Sequence, residues 1–167
     1  METRTFMSEN SSLEEKIVSL LQEKGWKIAS AESCSGGMIA SRLVNVSGVS
    51  DVFEEGYITY SNAAKHKLLG VSKQSLGQYG AVSSQVAGEM ALGAARQARA
   101  RAAIAVTGIA GPGGGTPQKP VGLVYIGCYV DGKVFVTENH FQGSRQEIRT
   151  ATTQAALSLL LEKLTRD

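Results

Sequence analysis

The sequence predicts an α/β protein: a single three-layer α/β/α domain whose mixed sheet is parallel in its first half and ends in a C-terminal β-hairpin. Three observations carry this. Short apolar runs of strand type alternate with apolar residues at helical spacing as far as residue 107, the pattern of successive βα units. Three of the runs end in polar or small residues, at Glu32-Ser33, Tyr60-Ser61 and Thr107-Gly108, where a strand would give way to a turn. Asp131-Gly132 then separates two further runs and is the strongest hairpin signal in the chain.

The elements follow in order. Leu13, Ile17, Leu20 and Leu21 repeat at helical spacing behind Ser11 and Ser12, and Gly25 supplies a left-handed stop, so a helix is expected over 13–24. A strand over 26–31 leads through a Ser-Cys-Ser-Gly-Gly turn into a helix over 38–44. A second unit has a strand over 52–60, rich in β-branched and aromatic residues, a Ser61 cap and a helix over 62–69 ending at Gly70. After a connector, Ser83 caps an Ala-rich helix to about residue 100, and 103–107 reads as a buried strand. Runs 121–130 and 133–141 form the hairpin, and a helix over 145–164 closes the chain. The Pro/Gly-rich stretch 111–120 lies between strands of one sheet, so it reads as a functional loop and not as a domain boundary. The organisation expected is a disordered leader over 1–12 and one domain over 13–167.

Composition narrows the function classes. The chain has 167 residues, 43% hydrophobic and 19% charged, with no run near the roughly 18 apolar residues of a membrane span. The leader lacks a signal-peptide apolar core, and Cys34 and Cys128 show no metal or disulfide pattern, so a cytoplasmic protein with two free thiols is expected. A net charge of +2, without a basic block, gives no case for nucleic acid. Two histidines and scattered carboxylates argue against a catalytic metal.

In an open α/β sheet, ligands bind at the carboxyl ends of the strands, which brings Ser33, Tyr60 and the Thr107 loop to one edge. Ser33 would stand on a strand-to-helix turn whose amides at Ser35, Gly36 and Gly37 could hold an oxyanion, or Ser33 or Ser35 simply caps the helix. A serine nucleophile needs a base, and Lys65 suits if burial leaves it neutral, with Tyr60 relaying or orienting the proton. The alternative is that Lys65 and Lys67 form a solvated helix face. Cys34 with His66 is a competing nucleophile, against the reading of Cys34 as a small buried residue. The 107–116 loop lacks the endings of nucleotide-binding fingerprints, so ATP and NAD are not supported. Its glycines could make an anion nest helped by Lys119, Arg145 and Arg149, or the loop is a flexible connector and the cations lie on the surface.

The runs Ala31-Glu-Ser-Cys-Ser-Gly-Gly37, Gly56-Tyr-Ile-Thr-Tyr-Ser-Asn-Ala-Ala-Lys65, Gly80-Ala-Val-Ser83 and 107–122 resemble, in order, the CinA carboxy-terminal domain family. The resemblance covers about 13–164, without the extra amino-terminal domain of two-domain CinA proteins, and so looks like the stand-alone form. It implies an amidase converting nicotinamide mononucleotide to nicotinate mononucleotide and ammonia, without a cofactor, through catalytic Ser33, Tyr60 and Lys65. Cys34, Ser35, Gly36, Gly37, Thr107, Gly108, Gly111, Arg145 and Arg149 are the expected substrate-binding residues. The expected partner is this small nucleotide, with neither nucleic acid nor membrane, and the protein is expected to be a homo-oligomer. A non-catalytic nucleotide-binding or regulatory module is the alternative. Two departures stand out: Ser35 where the family often has Thr, and Gly143-Ser144-Arg145 where Gly-Asp-Arg is common.

Overall fold

The computed structural model describes residues 10–166; the leader expected over 1–12 falls outside the described residues up to residue 9. Five strands form one sheet: β1 (Ile28–Glu32), β2 (Phe53–Ile58), β3 (Ala102–Gly108), β4 (Leu123–Val130) and β5 (Lys133–His140), in spatial order β2-β1-β3-β4-β5. β1 runs parallel to β2 and β3, whereas β3-β4 and β4-β5 are antiparallel, so the sheet is mixed with a terminal hairpin. Among the described residues six α-helices accompany it: α1 (Leu13–Lys24), α2 (Met38–Leu43), α3 (Asn62–Leu69), α4 (Lys73–Tyr79), α5 (Ser84–Ala98) and α6 (Arg145–Thr165).

Burial explains the three layers. β1 and β3 are covered on both faces and carry apolar or small residues almost throughout. Ile28, Ile104, Val106 and Ile126 pack with Ile17 and Leu21 of α1, Ile39 and Leu43 of α2, and Ile148, Leu157 and Leu160 of α6. Ala29, Ala31, Ala103 and Ala105 face the other way, against Leu69 of α3 and Val86, Met90, Ala91 and Ala94 of α5. The chain thus leaves β1 for β2 through α2 on one face and returns from β2 to β3 through α3, α4 and α5 on the other. The connections diverge between β1 and β3, which opens a crevice outside the carboxyl ends of these strands.

Local chemistry sets the helix ends. Ser12 with Glu15, and Ser144 with Glu147, form capping boxes at α1 and α6, and Gly25 ends α1 in the left-handed conformation. Ser144 therefore supplies the cap acceptor that an aspartate would supply there, donated to by the Glu147 amide at 3.2 Å. The connector after Gly70 contains a helix the sequence reading missed: α4 is one seven-residue stretch between Ser72 and Gly80, too short for apolar periodicity to show. Among the described residues no helix is long and apolar enough to cross a membrane.

Gly93 fixes where α3 sits, because a Cβ there would lie 1.9 Å from the Leu69 carbonyl oxygen. Gly93→Ala is expected to cost about 1–3 kcal/mol by driving α3 off α5. Gly77, inside α4 with open space around it, should behave oppositely and gain about 0.5–1 kcal/mol as alanine. Denaturant unfolding of the two variants checks both signs.

Candidate functional site

Ser33 follows directly from β1, tied by its amide to the Val106 carbonyl of β3 at 3.1 Å. Beyond β2, Thr59 donates its amide to the Glu32 carbonyl at 2.9 Å, which draws the start of α3 over the same sheet edge. Ser61 caps α3, accepting from the Ala64 amide at 3.1 Å, and one turn on Lys65 points inward. Its Nζ lies 3.0 Å from Ser33 Oγ and donates to the Thr59 carbonyl at 2.8 Å. Lys65 is 2% exposed, and no ion pair among the described residues includes it. Burial holds its ammonium below the ordinary value of 10.5. The solvated-face reading fits exposed Lys67 and fails for Lys65.

The turn after Ser33 is shaped by a group that the sequence reading passed over. Glu32, 1% exposed, accepts from Ser35 Oγ at 2.7 Å and from the Ile39 and Ala40 amides at 2.9 and 3.1 Å. Its carboxylate thus does the work of a cap for α2, whose N-cap Gly37 offers no side chain. Neither Ser33 nor Ser35 is the cap, so the capping alternative falls. The oxyanion expectation also narrows. The Gly36 and Met38 amides bond within the turn, and Ile39 and Ala40 serve Glu32, whereas the Cys34, Ser35 and Gly37 amides have no partner among the described residues. The signal for Glu32 was available: a carboxylate ending an apolar strand, just before a turn into a helix, has free amides within reach.

A cavity of about 290 Å³ opens over Ser33. Its walls bring together Ser33, Cys34, Tyr60, Lys65, Thr107, Gly108, Gly111 and Arg145, with Asn62, Ala81 and Val82 added from α3 and the segment before α5. Thr107 Oγ1 donates to the Ala81 carbonyl at 2.8 Å, which docks that segment on β3. Gly111 adopts φ +74°, and a Cβ there would strike Val121 Cγ1 at 2.4 Å, so the loop passes close to its own return only as glycine. The Ala110, Gly111, Gly113 and Gly114 amides have no partner among the described residues, which leaves donors at the rim for an anion.

Other expected residues stand elsewhere. Ser35, Gly36, Gly37 and Arg149 do not line the cavity. Arg149 donates to the Cys34 and Ser35 carbonyls at 2.9 and 3.2 Å and braces the turn from α6. Lys119 Nζ binds the Tyr79 carbonyl, fastening the glycine loop to the end of α4. Tyr60 lines the cavity but is 60% exposed, and its hydroxyl accepts from Arg145 Nη2 at 2.9 Å, in place of the expected contact with Lys65. Arg145 Nη1 donates to the Gly111 carbonyl at 2.8 Å, so one guanidinium links the mouth from both sides. Cys34 is 5% exposed and burial pushes its thiol up to about 11, which removes the activated-thiolate reading. His66, the partner it would need, bonds the Val71 carbonyl at 2.8 Å and lines a separate depression. Both cysteines are free, and no metal-holding cluster of His, Cys, Asp or Glu occurs among the described residues.

Three comparisons bear on this arrangement. The model of the CinA C-terminal domain matches residues 10–164. A CinA-like protein of Kosmotoga olearia is 52% identical over 153 residues, which are 92% of this chain and 37% of that protein. A putative competence-damage inducible protein of Clostridium botulinum is 48% identical over 98% of this chain and 40% of its own length. The chain therefore spans well under half the length of these curated relatives. Among solved structures, a competence/damage inducible protein from Agrobacterium tumefaciens is 42% identical with a TM-score of 0.87, covering 96% of this chain and 100% of its own. A CinA superfamily protein from Escherichia coli is 34% identical with a TM-score of 0.86, covering 94% and 93%.

If the Glu32 carboxylate holds the turn, Glu32→Ala should lose roughly 2–4 kcal/mol, since it strands a hydroxyl and two helix amides. Glu32→Gln, which keeps an acceptor oxygen, should lose less. Equal stability of Glu32→Ala and the parent in urea unfolding would show that the amides find other partners.

Proposed function

The chain belongs to the CinA C-terminal domain family, and from that premise we propose that it hydrolyses the carboxamide of nicotinamide mononucleotide to nicotinate mononucleotide and ammonia. The observation that carries the reading is the 3.0 Å contact between Lys65 Nζ and Ser33 Oγ, made by an amine that burial biases towards its neutral form. A neutral amine can accept the proton that keeps a serine hydroxyl a weak nucleophile.

In the proposed reaction Lys65 Nζ takes the Ser33 proton as Oγ bonds to the carboxamide carbon, and the carbonyl electrons move onto oxygen. The Cys34 amide, without a partner among the described residues and next to Ser33 in a residue that lines the cavity, is the candidate to hold that oxyanion; one such donor is worth about 2.7–4 kcal/mol. Lys65 then returns the proton to the departing nitrogen, the C–N bond breaks and ammonia leaves an ester on Ser33. Water gives a proton to Lys65 and adds to that ester. Ser33 departs with the proton restored, and the product carboxylate is released. The glycine-loop amides and Arg145 suit the 5′-phosphate, and the Tyr60 ring at the mouth suits the flat pyridinium. Tyr60 is thereby recast as a group that positions substrate.

Purified protein should release ammonia from the mononucleotide. Ser33→Ala should lower turnover by at least about 10³-fold with the fold intact, and Cys34→Ala should not. Lys65→Arg keeps the positive charge but lacks a usable base, so it should lose turnover while binding persists in calorimetry. Binding by the parent without ammonia release would assign a binding module instead.

A further inference from the structure

A second cavity, about 510 Å³, lies at the opposite end of the sheet from Ser33. It is walled by Lys24 at the end of α1, Trp26 just before β1, Lys133 and Phe135 on β5, and Lys163 and Arg166 at the end of α6. Two of the cations are seated on rings: Lys24 Nζ lies 5.0 Å from the Trp26 centroid and Lys163 Nζ lies 4.5 Å from that of Phe135. Outside the wall, Arg101 covers Trp26 at 4.6 Å.

Seating on a ring differs from pairing with a carboxylate. A ring attracts a cation through its quadrupole and leaves the full positive charge in place, whereas a carboxylate cancels it. Neither Lys24 nor Lys133 has a carboxylate partner among the described residues. Asp131 is engaged by Arg101 at 2.6 Å, and one carboxylate, Glu162, serves both Lys163 at 3.3 Å and Arg166 at 2.6 Å. The Lys163 side chain is only 13% exposed, so its charge is partly shielded from water. Complementing helix C-termini accounts for Lys24 and Lys163. It does not account for Lys133, a strand residue that faces the same cavity. The whole chain carries a formal net charge of +2, yet four cations against one acidic residue, Asp131, line this one depression.

We propose that this cavity is a second binding site, for an organic ligand of nucleotide size that carries two or more phosphoryl groups. The phosphoryl oxygens would meet Lys24 and Lys133, and the organic part would cover the apolar edges of Trp26 and Phe135. This site is independent of the reaction assigned to Ser33.

Trp26 is the chain's one tryptophan, so its emission reports on this cavity directly. With ATP as the probe and the full chain as the protein, a saturable change in Trp26 emission is expected, weakening steeply with added salt. Tripolyphosphate should compete and adenosine should not. Lys24→Gln and Lys133→Gln should each weaken ATP by about tenfold, as expected for loss of one charge-assisted contact. Absence of a saturable change, or unaltered affinity in the Lys24→Gln/Lys133→Gln double variant, would overturn the proposal. So would tighter binding of a short single-stranded oligonucleotide than of ATP, which would make the surface one for nucleic acid.

Discussion

A buried amine without an ion-pair partner among the described residues governs the architecture of this edge of the sheet. Lys65 reaches the Thr59 carbonyl and Ser33 Oγ and faces no carboxylate among the described residues. Moving an ammonium out of water costs several kcal/mol when nothing compensates it, so burial lowers the proton affinity of this amine. Three features converge on that outcome. The exit of β1 presents Ser33, the exit of β2 turns a carbonyl inward, and Gly93 lets α3 lie close enough for its lysine to reach both.

Glu32, the residue before Ser33, is committed to the turn and not to the lysine. Its oxygens are taken by the Ser35 hydroxyl and by two α2 amides, where the positive end of the helix meets the negative charge. Arg149 closes the turn from the other side by binding the Cys34 and Ser35 carbonyls. This edge of the sheet is therefore braced by two charged groups outside the cavity, and the cavity keeps Lys65 and Arg145 as its cations. Their tasks differ: one is buried with a lowered proton affinity, and the other spans the mouth between Tyr60 and Gly111.

Much of this was legible in the sequence, for stated reasons. Gly25, Ser61, Ser83 and Asp131-Gly132 punctuate the chain clearly, so the bounds of α1 and α3 and the presence of the hairpin followed from local chemistry. The convergence of Ser33, Tyr60, Lys65 and the 107 loop followed from the rule that ligands sit at strand carboxyl ends. What escaped were distances and directions. Nothing local tells an inward Lys65 from an outward Lys67, and nothing distinguishes Arg145, at the cavity, from Arg149, one turn later and against the turn. Both differences depend on which face of a helix meets the sheet. Glu32 was read as a polar strand end and not as an acceptor, because the amides it binds belong to the next helix. The family resemblance selected Ser33 and Lys65 where residue chemistry alone left the bland readings open.

The proton affinity of Lys65 is the quantity on which the account turns. Lysine Cε resonances followed through an alkaline titration of isotopically labelled protein, with Lys65→Met identifying the Lys65 signal, measure it directly. The account predicts a midpoint clearly below the ordinary 10.5, shared by the rise of turnover with pH. A midpoint at or above 10.5 would leave Lys65 charged at Ser33 under working conditions and would contradict its role as the base.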